Sequence, residues 1–231
     1  MKRIAIVQSN YIPWKGYFDL IRASDEFVLY DSVQFTRRDW RNRNQIKTAS
    51  GPVWLTVPVE TRGRYLQRID ETRIAGSAWA GEHWQRIRHA YARAPHFAAY
   101  ADELSALYAA LADEPLLGRV NRRLLEAACG WLGIGTPLTA CTGYPAEGDA
   151  TQRLVGICVA AGATHYLSGP AARAYLRPEL FSEAGIVLEY ADYSGYPEYP
   201  QPHGAFVHGV SVLDLLFNVG PDAPRYLIPV V

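Results

Sequence analysis

Apolar residues fall along this chain in two textures. Ile4-Ala5-Ile6-Val7 and Phe27-Val28-Leu29-Tyr30 are short, nearly unbroken apolar runs, the pattern of strands covered on both faces. Between them the loop Ser9-Asn10-Tyr11-Ile12-Pro13-Trp14-Lys15-Gly16 leads into Tyr17-Phe18-Asp19-Leu20-Ile21-Arg22-Ala23, which predicts a helix. A β-loop-α-β unit of about 25 residues fits a right-handed crossover between parallel strands. Val53 to Val59 alternates and predicts a strand, with Pro58 placing it at an edge or a strand end. Gln67 to Ile74 predicts a further strand.

From Ala78 to Leu132 the texture becomes rich in Ala, Leu, Arg and Glu. Three helices are predicted, at 79–93, 96–112 and 115–132. Pro95 and Pro115 stand near two of the starts, and Gly133 follows the last. Beyond it the first texture returns. Pro137–Ala140, Thr164–Leu167 and Ile186–Tyr190 predict strands. Asp149 or Thr151 caps a helix to Ala161, part of 170–184 is helical, and Ser211 caps a last helix over Val212–Asn218. The expectation is an α/β fold: one domain over residues 1–231, with a Rossmann-like, mostly parallel sheet and a helical insertion at about 78–132.

Composition narrows the function classes. The 231 residues are 49% hydrophobic and 20% charged, with formal net charge zero, an ordinary globular balance. Bulk neutrality argues against a broad nucleic-acid surface. Cys129, Cys141 and Cys158 are odd in number and widely spaced, which points to a reducing compartment rather than a disulfide framework. No apolar run reaches the roughly 20 residues of a membrane span, and the N-terminus lacks a signal-peptide core. A cytoplasmic protein is expected.

Against that neutral background, Thr36–Lys47 carries Arg37, Arg38, Arg41, Arg43 and Lys47 against Asp39 alone. This stretch follows an apolar strand ending in Asp31, the place where open α/β sheets carry ligand sites. Arginine forks bind carboxylate or phosphate. The expected site for an anionic small molecule therefore comprises Gln34, Arg37, Arg38, Trp40, Asn42 and Arg43, with Gln8, Tyr11 and Tyr17 from the first loop. Tyr91, Ser168 and Tyr175 complete it. Asp31 and His83 are the candidate catalytic groups, His83 because an unperturbed imidazole titrates near neutrality. His203 and His208 have no ligand-spaced partners, so no metal site is expected.

Ile4–Gln8 with Pro13 and Gly16-Tyr17-Phe18, Tyr30–Phe35 with Arg38, Trp40 and Asn42–Asn44, and His83-Trp84 with Tyr91 and Ala94–Phe97 together resemble the WbqC-like family. So do Thr164–Gly169 with Tyr175-Leu176, and Ser211–Asn218. Ser9 stands where that family more often has proline. The resemblance implies a role in bacterial O-antigen or polysaccharide metabolism: a transferase placing a glycine-like aminoacyl or small acyl group on the amine of a sugar or metabolite. Amide formation requires an activated donor, whether ATP-derived, an acyl thioester or an aminoacyl-tRNA. A non-catalytic binding or scaffold protein of a glycan-assembly pathway is the alternative. A nucleotide-dependent enzyme is another, because the order of loop, glycine and helix is similar to nucleotidylyl transferases of the pantothenate-synthetase type. Those enzymes have Gly-His where this chain has Gly16-Tyr17.

Overall fold

The computed structural model describes residues 1–145 and 147–229. Strand β1 (Arg3–Val7), helix α1 (Lys15–Arg22) and strand β2 (Glu26–Leu29) form the expected crossover, and a hairpin follows from β3 (Arg43–Thr48) and β4 (Gly51–Thr56). Helices α2 (Ala78–Tyr91), α3 (Phe97–Leu111) and α4 (Leu117–Trp131) come next, then β5 (Leu138–Ala140), α5 (Ala150–Ala160), β6 (His165–Ser168), α6 (Pro178–Glu183), β7 (Val187–Tyr190) and α7 (Val212–Val219).

Five strands make one parallel sheet in the order β5-β2-β1-β6-β7. The chain winds outward from β1 through β2 to β5, then returns to the other flank of β1 with β6 and β7. This is the doubly wound, Rossmann-like arrangement, and its direction reverses between β1 and β6.

Alternation along the strands divides the core in two. Ala5, Phe27, Leu29 and Leu167 face α1, the helices α2–α4 and α7. Ile4, Ile6, Val28, Tyr30 and Tyr166 face the other way, against Leu154, Ile157 and Cys158 of α5 and Phe181 of α6. Both faces being covered explains why β1 and β2 read as continuous apolar runs. Cys129, Cys141 and Cys158 are buried thiols.

The structure departs from the sequence expectations in two elements. Residues 67–74 do not form a strand. Ile69–Glu71 is one 3-10 turn, with single bridge pairs Gln34–Arg68, Arg73–Leu116 and Val59–Ile74 around it. Conversely, Arg43–Thr48 is a strand that its polar composition conceals. Its Asn44 and Ile46 turn inward while Arg43 and Gln45 are half-covered. Asn44 is buried because its amide donates to the carbonyls of Tyr11 and Ile12, at 3.2 and 3.0 Å.

Candidate functional site

A cleft of about 840 Å³ opens where β1 and β6 end, at the reversal of strand order. Gln8 follows β1, and Ser168-Gly169 follows from β6. Asn10, Tyr17, Trp40, Arg41, Arg153, Tyr175 and Tyr193 are among its other polar and aromatic lining residues.

The loop after β1 is fixed from three sides. The Ser9 amide donates to Asp31 Oδ1 at 2.8 Å. Asn121 of α4 gives its Nδ2 hydrogens to Ser9 Oγ, at 3.0 Å, and to the Arg41 carbonyl, at 2.9 Å. The Tyr11 amide donates to the Trp40 carbonyl at 3.0 Å, and the Tyr17 hydroxyl to the Gln8 carbonyl at 2.9 Å. Ile12 has φ of +35°, a left-handed conformation costly for a β-branched residue. The two hydrogen bonds from Asn44 hold it there.

This scaffold singles out Arg41 within the basic stretch. Its guanidinium lines the cleft, donates to Asn10 Oδ1 and lies 3.7 Å from Asp39. A second guanidinium, Arg153 of α5, lines the cleft and donates its Nε to the Gly148 carbonyl at 2.9 Å. Among the described residues that line the cleft, these are the two cationic side chains. The carboxylate among them, Asp149, caps α5 through the amides of Thr151 and Gln152 and pairs with Arg177.

The other candidate residues lie elsewhere. Arg37 and Arg38 are exposed; Arg37 donates to the Thr61 carbonyl at 3.0 Å, and Arg38 adopts φ of +58°. Arg43 stacks on Trp54 at 4.1 Å and donates to the Arg38 carbonyl. Gln34 donates to the Tyr65 carbonyl, and Asn42 to the Val57 carbonyl. None of these five lines the cleft. Trp40 does, 42% exposed, with its ring 5.4 Å from Trp54. Gln8, Tyr17, Ser168 and Tyr175 also line it, and Tyr175 is 61% exposed.

Asp31 is buried with Oδ1 on Ser9, and burial raises its pKa against the lowering effect of that hydrogen bond. Its other oxygen faces α4, where a Cβ added to Gly118 would stand 3.1 Å from Oδ2. This carboxylate braces the loop rather than lining the cleft. His83 is inside the core, its Nδ1 2.8 Å from the Tyr11 hydroxyl, which lies 2.7 Å from that of Tyr108. Burial, reinforced by the charge of Arg86, pushes its pKa down to about 4. Tyr91 is also internal; its hydroxyl accepts from the Lys47 amide at 2.9 Å and donates to Asp214 at 3.3 Å.

The sequence reading did not select Arg41, Arg153, Asn10 or Asn121. Arg41 was visible as one of five cations, with nothing local to separate it from its neighbours. Asn121 and Arg153 sit within helices remote in sequence, and only the fold brings them to the loop and the cleft. Among the described residues, no group of three or more His, Cys, Asp or Glu side chains is placed to hold a metal ion. No helix there is long and apolar enough to cross a membrane.

The chain is similar to known proteins over nearly its full length. The chain is 51% identical over 228 residues to the uncharacterized protein Rv1507c of Mycobacterium tuberculosis (strain H37Rv), covering 98% of each. No solved structure matches. The model of the WbqC-like protein family matches residues 8–226, and the chain belongs to that family.

Proposed function

We propose that the cleft binds an activated, anionic small metabolite and that the protein is a transferase of polysaccharide or amino-sugar metabolism. It passes a glycine-like aminoacyl or related small acyl group to an amine of a sugar or metabolite. One observation carries this reading: Arg41 and Arg153 both line a cleft at the reversal of strand order, where open α/β sheets take ligands. In such a transfer the amine nitrogen forms a bond to the acyl carbon and the bond to the leaving group breaks. The leaving group departs with the electron pair, and the amine's proton passes to it or to water. Two fixed guanidiniums favour an anionic leaving group more as its charge grows. Gln8, Asn10 and Ser168 supply the neutral polar contacts that orient the ligand, and Tyr17, Trp40, Tyr175 and Tyr193 wall it.

One feature favours a non-catalytic binding protein instead. No histidine lines the cleft among the described residues, and the Asp149 carboxylate there is engaged by its own helix. A thermal-shift screen of nucleotides, acyl-CoAs, nucleotide sugars and amino acids, followed by incubation of the best hit with amino sugars, separates the two. A true ligand at ~100 times its Kd adds about 2.7 kcal/mol of stability. Arg41→Ala and Arg153→Ala should each weaken it about tenfold to a hundredfold, the worth of a charge-assisted hydrogen bond. Arg38→Ala should leave the shift unchanged. A ligand held but never consumed with any amine gives the binding-protein reading, and a hit indifferent to Arg41 rules out the cleft.

A further inference from the structure

We propose that a second groove, independent of the cleft, docks an acidic, amphipathic segment of a partner protein. The groove measures about 1470 Å³ and runs between α2, the turn of the β3–β4 hairpin and residues 200–203. Arg86, Arg88, His89, Arg93 and His203 line it, all exposed. Between Glu82 and Asp102 the sequence holds three arginines and no carboxylate. Some cations elsewhere are paired, such as Arg64 with Glu60, Arg122 with Glu126 and Arg177 with Asp149. Among the described residues, Arg86, Arg88 and Arg93 form no ion pair, and Arg88 reaches only Gln85. A groove lined by one sign of charge concentrates ligands of the opposite sign.

The groove's floor decides the class of partner. Val53, Ala90, Ala94, Pro95, Pro200 and Pro202 give it methyl and pyrrolidine surface, and among the described residues its only aromatic rings are the imidazoles of His89 and His203, with no Phe, Tyr or Trp. Single-stranded nucleic acid draws its sequence-tolerant affinity from stacking on broad aromatic faces, for which this groove offers two imidazoles and, among the described residues, no Phe, Tyr or Trp. An acidic helix whose aliphatic face meets such a floor, with its carboxylates on the arginine rim, matches both features. The proposal does not rest on the cleft reading.

The test measures fluorescence anisotropy of three labelled probes against the whole protein. They are a synthetic amphipathic helix of Glu and Leu about 20 residues long, the same peptide with Gln for Glu, and an oligo-dT of similar length. The Glu peptide should bind at 150 mM salt, and the Gln peptide at least about tenfold more weakly. Joint substitution Arg86→Glu, Arg88→Glu and Arg93→Glu should weaken the Glu peptide by at least about tenfold, as should Pro202→Glu on the floor. All four positions are exposed, and a thermal melt checks that the variants fold. Absence of Glu-peptide binding overturns the proposal, as does binding unchanged by both variants. Tighter oligo-dT binding lost in the triple variant would assign the groove to nucleic acid instead. Self-association lost in that variant would assign it to a second copy, and either result overturns the proposal.

Discussion

Two cation-rich stretches, residues 37–47 and 86–93, have similar sequence character and opposite fates. In the first, the fold consumes most of the charge. Arg37 holds the Thr61 carbonyl, Arg43 lies on Trp54, and Lys47 is buried with its ammonium on Gln201 Oε1 at 2.7 Å and the Ala205 carbonyl at 2.6 Å. Of that stretch's cations, Arg41 alone lines the cleft. In the second, the arginines stay exposed, Arg86 and Arg88 on α2 and Arg93 just beyond it, without ion pairs among the described residues. A count of cations therefore does not locate an anion site. What locates one is whether the fold brings the guanidinium to the wall of a cleft or groove, as it does Arg41 and Arg153.

The sharpest test of the contrast uses His83, a buried residue of α2. Its depressed pKa means that the native state stays neutral while the unfolded chain takes up a proton below its value of 6.5. Stability from this group is complete above pH 6.5 and is lost as pH falls towards about 4, by about 3 kcal/mol in all. Urea unfolding from pH 7 to pH 4 should show this slope, and His83→Gln should flatten it. Arg86→Glu should reduce the slope by removing a charge that disfavours the imidazolium. Next in size, Lys47→Met should cost about 2 kcal/mol, because Gln201 and Ala205 lose a buried donor; a shifted urea midpoint would report it. Smallest, Arg37→Ala and Arg88→Ala should each change stability by less than about 0.5 kcal/mol. A large loss from Arg88→Ala would mean that the second stretch is structural too, erasing the difference between the regions.

Much of the frame was legible in the sequence. Strands covered on both faces are apolar through their centres, so the runs Ile4–Val7 of β1 and Phe27–Leu29 of β2 stood out, and with β1 the loop that begins at Gln8. Helices α2–α4 were legible from composition and their flanking prolines. Strand β3 was not, because its inward Asn44 and Lys47 are satisfied by carbonyls far away in sequence. Residues 67–74 misled in the other direction, since they form isolated bridges around a tight turn rather than a strand. The roles given to His83 and Asp31 came from residue type. Whether an imidazole or a carboxylate meets substrate depends on which face of the core it enters, and that is set by Tyr11, Tyr108 and α4, not by its neighbours in the chain.

Asn121 ties the two halves of the chain's topology into one object. It sits a third of the way along α4 yet grips both the seryl side chain after β1 and the backbone at Arg41. The middle helices are thus footings for the mouth of the sheet. A protein trimmed of residues 78–132 would keep every parallel strand and forfeit the clamp that shapes the loop beside them.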